Sequence, residues 1–172
     1  MDILIDCSHA EKEAGALPVE ALARFALEAE GIPQDCEVSI AFVDDERMAR
    51  LNRDFRGKEG PTDVLSFECD GLDDGFDDPA ACAGEPLQLG DVIIAPDVAR
   101  RQSERFGHSF EAEVSLLLVH GLLHLCGYDH IADDEAEEME ARERAILGAW
   151  ADAGHEAVRG VCDDTVRVRG EH

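Results

Sequence analysis

Aromatic residues are scarce in this chain, with one Trp, one Tyr and seven Phe making up 5% of 172 residues. A core built from it must rely on Leu, Val, Ile and Ala. Basic residues are scarce too: 15 Lys and Arg stand against 40 Asp and Glu, a formal net charge of -25. That balance argues against a polybasic nucleic-acid arm and a cationic membrane-surface helix. The six cysteines are scattered and form no C-x-x-C pair, so they read as ordinary reduced residues rather than thiolate metal ligands. The opening Met1-Asp2-Ile3-Leu4-Ile5-Asp6 lacks the basic and long apolar regions of an export leader. The longest apolar run, over 114–126, is too short to span a bilayer and carries two histidines. A cytoplasmic location without membrane contact is therefore expected.

What is present suits a globular fold. Hydrophobic residues reach 45%, and the length suits one domain that folds without disulfides. Strands are expected over 2–6, 38–43, 63–67 and 89–95, where short β-rich runs are bounded by turn residues or acids. Helical spacing of apolar residues marks 18–30, a segment after Asp44 with Met48, Leu51 and Phe55 on one face, a segment opened by Pro96, then 109–126 and 133–150. Interleaved strands and helices with room for about four strands define an α+β or mixed α/β class. One domain over 1–150 is expected, with an acidic surface loop at about 68–88, since residues 68–85 hold seven acids and no Lys or Arg. Residues 151–172 show no clear periodicity and read as a weakly ordered tail.

The chemistry concentrates in His120-Gly121-Leu122-Leu123-His124-Leu125-Cys126-Gly127-Tyr128-Asp129-His130. His120 and His124 lie four apart on an expected helix, which stacks both imidazoles on one face. Gly127 can end that helix in the left-handed conformation and let the chain return His130 to the same ion. Three neutral imidazoles leave one tetrahedral position open, as in a catalytic zinc site. The helix is apolar almost all round and thus buried, where histidines are costly unless their nitrogens find partners. The bland alternative is a set of core histidines bonded to backbone or carboxylates. The spacing H-x3-H-x2-G-x2-H also matches the metzincin protease signature, but Gly121 stands where those enzymes carry a catalytic Glu.

A second constellation runs from Asn52 to Phe67. Five of the 15 basic residues, Arg47, Arg50, Arg53, Arg56 and Lys58, fall between Arg47 and Lys58, and Arg100, Arg101 and Arg105 form a second basic segment. The two segments can line one cleft. Arg47, Arg50 and Arg53 also fit a solvated helix face. Arg56 stands at the helix end before a glycine-bracketed loop, placed either to enter a cleft or to complement the helix dipole. Guanidinium stays protonated, so Arg56 is no base; in a cleft it can fork onto an anionic group and stabilise added negative charge. Asp63 and Asp91, near strand ends, read as caps or backbone acceptors.

The block N-x2-F-R-x-K-x3-T-D-V-L-S-F over 52–67, then Gly90-Asp91-Val92, then H-G-x-L-H-L-x-G-Y-D-H over 120–130, occur in this order. Together, across residues 35–147, they resemble the YbeY family of bacterial endoribonucleases, or rRNA maturation factors. The resemblance implies that His120, His124 and His130 hold one zinc ion (Zn2+) per chain and that Arg56 is the functional arginine of the cleft. Lys58, Tyr128 and Asp129 are further candidates, for substrate contact or for support of the ligands. It implies an α+β fold, a small mixed four-stranded sheet flanked by helices, with a buried central helix carrying the metal motif. It also implies a zinc-dependent endoribonuclease, a hydrolase of phosphodiester bonds that cuts single-stranded RNA in 16S rRNA 3′-end maturation and ribosome quality control. The implied partners are rRNA and the ribosome or small-subunit assembly components, with no DNA. Either zinc-activated hydroxide or the ribose 2′-OH fits as nucleophile. The acidic insertion and the segment after 150 depart from the family pattern without touching a motif. Two other readings stand beside this one: a zinc peptidase-like hydrolase, and a non-catalytic ribosome-assembly factor with a structural zinc.

Overall fold

The computed structural model describes residues 1–7, 9, 15–68, 87–127, 133–159 and 161. Strand β1 (Asp2–Asp6) pairs in parallel with β2 (Cys36–Phe42), so the chain must cross over between them. It does so through helix α1 (Val19–Ala29), whose Val19, Leu22, Ala23, Ala26 and Leu27 are buried at helical spacing. After β2, Asp44 caps helix α2 (Asp45–Arg56), its side chain accepting the Arg47 backbone N–H at 2.7 Å. Strand β3 (Val64–Glu68) follows and pairs antiparallel with β4 (Leu87–Ile94). The sheet order is β1-β2-β4-β3, with β2 and β4 parallel. This is the mixed four-stranded α+β sheet expected. Strand β4 starts earlier than the alternation suggested, so Leu87 and Gln88 belong to the sheet. The expected acidic loop otherwise falls on 69–86, outside the described residues.

Side chains alternate across the sheet and divide the core in two. Val38, Ile40, Phe42, Val64, Val92 and Ile94 face the main core. Val43, Leu65 and Ala95 face a smaller one with Met48 of α2, backed by Ala41, Leu51, Phe67 and Ile93. The main core is filled by helix α4 (Phe110–Leu125), which follows α3 (Pro96–Phe106) and precedes α5 (Asp133–Asp152). Ser109 caps α4 by accepting the Ala112 N–H at 3.1 Å. All of 112–119 in α4 is buried, so this is the central helix the apolar pattern implied.

Two glycines let α4 and the strands come this close. A Cβ on Gly121 would lie 2.8 Å from Val92 Cγ1 and 3.1 Å from Ser66 Oγ. The Ser66 hydroxyl donates to the Gly121 carbonyl at 3.0 Å, fixing α4 on β3. Gly90 has φ 142°, and a Cβ there would lie 2.2 Å from the Phe67 carbonyl oxygen. The β2–β4 register slips beside it, from Glu37 opposite Gln88 to Val38 opposite Gly90, which makes a bulge. Asp63 is the cap expected of it, accepting the Val64 N–H at 2.8 Å while its own carbonyl accepts the Ala95 N–H at 2.9 Å.

Two expectations need correction. The ordered fold does not stop at 150: α5 runs to Asp152, a 3-10 turn spans Glu156–Val158, and Ala151, Val158 and Val161 are buried in the main core. Single apolar residues delivered by a short turn leave no helical period to read. Residues 162–172 lie outside the described residues. Phe55 does not share the buried face of Met48: it is 66% exposed, touching the sheet through the edge of Phe67. Arg101 bonds Asp45 at 3.0 Å, at the opposite end of α2 from Arg56, about 16 Å away by helix rise. Arg100 lies over the Phe110 ring and Arg105 over Phe106.

Replacing Val158 with Ala should cost about 1–2 kcal/mol in urea unfolding, through lost burial and a small cavity. A variant as stable as wild type would remove the 3-10 turn from the core.

Candidate metal centre

The last two turns of α4 present His120 and His124 side by side. Their rings stand 4.7 Å apart at 81°, and the two Nε2 atoms are 3.2 Å from one another. Two imidazole nitrogens bound at 2.0–2.1 Å in a tetrahedral zinc site would lie roughly 3.3–3.4 Å apart. The observed spacing thus fits a shared ion, and it equally suits one N–H passed between the rings. Both imidazoles are half-buried.

The partner that orients them comes from α5. Glu143 Oε1 accepts from His120 Nδ1 in a short contact, with 12% of the histidine side chain and 8% of the glutamate exposed. A proton held on Nδ1 leaves the Nε2 lone pair pointing at His124. A carboxylate behind the histidine is the usual support of an imidazole that binds a cation. Glu143 is held in place by its surroundings: Met139, Ile146, Leu147 and Trp150 bury the same face of α5, and the neighbouring Arg142 bonds Glu30 at the end of α1 at 2.7 Å. The sequence reading missed this residue. Its signal was there, a glutamate four after Met139 and three before Ile146 on an otherwise apolar stripe.

Of the expected ligands, the structure brings His120 and His124 together. His130, with Tyr128 and Asp129, lies outside the described residues. Among the described residues no three His, Cys, Asp or Glu side chains form a metal set. Cys126 caps α4 nearby. Burial above all, then the charge of Glu30 and the neighbouring Cys36, pushes its thiol up to about 12, so it stays protonated near neutral pH and is a poor ligand. Position 121, where a metzincin base would stand, is closed by Val92 and Ser66. No glutamate side chain fits there.

Arg56 and Lys58 come from the other side of the sheet. Arg56 is the last residue of α2 and half-buried; Lys58 is exposed in the following loop. Gly57, left-handed at φ 67°, ends the helix and donates to the Arg53 carbonyl. Asn52 ties the loop down by donating to the Gly60 carbonyl at 2.8 Å. The helix end rests on β3 through Phe55, whose ring is 5.0 Å from that of Phe67. Strand β3 is therefore the link between the two constellations, with Phe67 touching α2 and Ser66 bonding Gly121 beside His120. It also ends the strand order of the sheet.

The chain is similar to known proteins over most of its length. The family described as Endoribonuclease YbeY matches residues 5–151. The Endoribonuclease YbeY of Bacillus velezensis is 41% identical over 154 residues, covering 87% of this chain and 97% of that one. The Salinispora tropica relative of the same name is 45% identical over 134 residues, with 77% and 85% covered. The Bacillus subtilis relative is 38% identical over 147 residues, with 86% and 93% covered. A Thermotoga maritima protein solved in solution shares the fold, with a TM-score of 0.53 at 23% identity, covering 90% of this chain and 94% of that one. Matched over most of its length by both the family and these relatives, the chain belongs to the YbeY family.

Proposed function

We propose that this protein is a zinc-dependent endoribonuclease that cuts single-stranded RNA, acting on rRNA in small-subunit maturation and ribosome quality control in the cytoplasm. The observation that carries the metal reading is the convergence of His120 and His124 at 3.2 Å with Glu143 behind His120. His120, His124 and His130 would hold the ion. Zinc in such a site supplies Lewis acidity toward a phosphoryl oxygen and acidifies water.

The chain's own residues do the rest. Glu143 keeps the His120 ring oriented and its Nδ1 protonated. Arg56 binds phosphate through its planar guanidinium fork, where it favours the extra negative charge of a five-coordinate phosphorus. Lys58 adds a mobile charge for the flanking strand, and Tyr128 and Asp129 remain candidates for substrate contact or ligand support. The peptidase alternative loses its base at position 121 to close packing. No helix among the described residues is long and apolar enough to cross a membrane.

The decisive experiment measures zinc stoichiometry, then RNA and peptide cleavage on the same preparation. One zinc per chain with RNA cleavage alone is expected; cleavage of peptide alone would overturn the reading. Arg56→Ala should keep zinc and lose about a hundredfold or more in kcat/KM on RNA, whereas His124→Ala should lose both. Equal cleavage by wild type and Arg56→Ala would take the arginine out of the mechanism. Glu143→Gln should weaken zinc binding about tenfold or more in a chelator competition, the scale set by other carboxylate supports; an unchanged affinity would make Glu143 purely structural. With a net charge of -25 and few cations on the binding face, affinity for bare RNA should be weak. It should fall about twentyfold between 50 and 200 mM salt, as about three phosphate contacts on a single strand imply. Tight, salt-indifferent binding would contradict this.

A further inference from the structure

Phe55 is the most exposed large apolar side chain among the described residues, at 66%. Its exposure is not a frayed accident. The residue sits in the last turn of α2, the loop after it is tied by Asn52, and its ring is braced against Phe67 at 5.0 Å and 68°. Phe67 is half-buried and backs the smaller core, so the brace is anchored. The contact takes up only part of the Phe55 ring and leaves most of it to solvent.

The charge around this ring is the reverse of the chain's. Arg53 and Lys58 are exposed and Arg56 half-buried within three residues of it, in a protein of net charge -25. Asp54 beside the ring is paired with Arg53 at 3.3 Å, so Arg56 and Lys58 leave the balance positive; an exposed aromatic face with such an excess of cations suits a polyanion whose units carry flat π-systems. It does not suit an apolar peptide, which would gain nothing from the arginines. The position is also coupled to the histidines. Phe67 touches Phe55 on one side of β3, and its neighbour Ser66 bonds Gly121, next to His120, on the other. Because β3 ends the strand order, a single strand can pass around it from one constellation to the other.

We propose that Phe55, braced by Phe67, is a stacking platform for one unpaired nucleobase of the RNA, a few nucleotides from the bond that is cut. This rests on the nuclease reading and adds a binding subsite to it. Stacking tolerates any base, since each has a π-face, so the platform holds the strand without reading its sequence. Its ligand is a single strand, because paired bases do not offer their faces.

The test uses full-length, zinc-loaded protein and two probes: a cleavable single-stranded oligoribonucleotide, and its 2′-O-methyl counterpart carrying 2-aminopurine at successive positions. Phe55→Ala should raise KM about tenfold with kcat held within a factor of two, and should abolish the fluorescence quenching seen at one position. Phe55→Tyr should restore both, while Phe55→Leu, apolar but without a π-face, should not. An abasic nucleotide at the quenched position should weaken wild type by the same factor and leave Phe55→Ala unaffected. Melting temperatures of the variants, measured alongside, separate lost stacking from lost folding. A wild-type KM in Phe55→Ala, or full binding by Phe55→Leu, would overturn the platform while leaving the nuclease reading intact. Quenching that depends on Phe55 without any cleavage by wild type would do the opposite.

Discussion

A helix that is apolar on nearly every face can carry two imidazoles only if something takes up their polarity. In this protein the Glu143 carboxylate does so, from the helix that follows in the chain. It fixes the proton on His120 Nδ1 and turns Nε2 toward His124. The site geometry thus depends on how α5 is seated, through Met139, Ile146, Leu147 and Trp150 in the core and Arg142 on Glu30. A shift of α5 by half a turn would leave a buried carboxylate and a buried imidazole each without its partner, and both would be costly. Packing and chemistry are held by the same contacts.

Strand β3 plays the corresponding part for the other half of the site. It belongs to both cores: Val64 packs in the main one, and Leu65 and Phe67 face the smaller. The T-D-V-L-S-F stretch therefore serves several elements at once. Asp63 caps the strand start, Ser66 holds the histidine-bearing helix α4, and Phe67 holds the end of α2. A substitution in this stretch would act on the separation between arginine and histidines as much as on stability.

Electrostatics adds a constraint of a different kind. The acidic excess repels RNA over the whole surface, while the end of α2 gathers Arg53, Arg56 and Lys58. Such a protein gains little from non-specific attraction and depends on a short, well-shaped contact, or on a partner that presents the strand. The other basic segment lies apart from that end, with Arg101 joined to Asp45 at the start of α2 and Arg100 and Arg105 over aromatic rings.

Much of this was legible in the sequence. Strands and helices follow from apolar period and from caps such as Asp44, Pro96 and Ser109, because these are local properties of a few consecutive residues. The pairing of His120 with His124 follows from helical spacing alone. What the sequence does not carry is distance between segments. Glu143 lies 23 residues from His120 and reads as one acid among many until α5 is packed. Phe55 reads as a core residue, since its period matches Met48 and Leu51, until the fold is seen to set the Phe67 ring against it and leave most of it exposed. Val158 and Val161 read as tail for want of a period, yet they close the main core. Periodicity reports which way a side chain faces on its own element; only the assembled fold decides whether anything stands opposite.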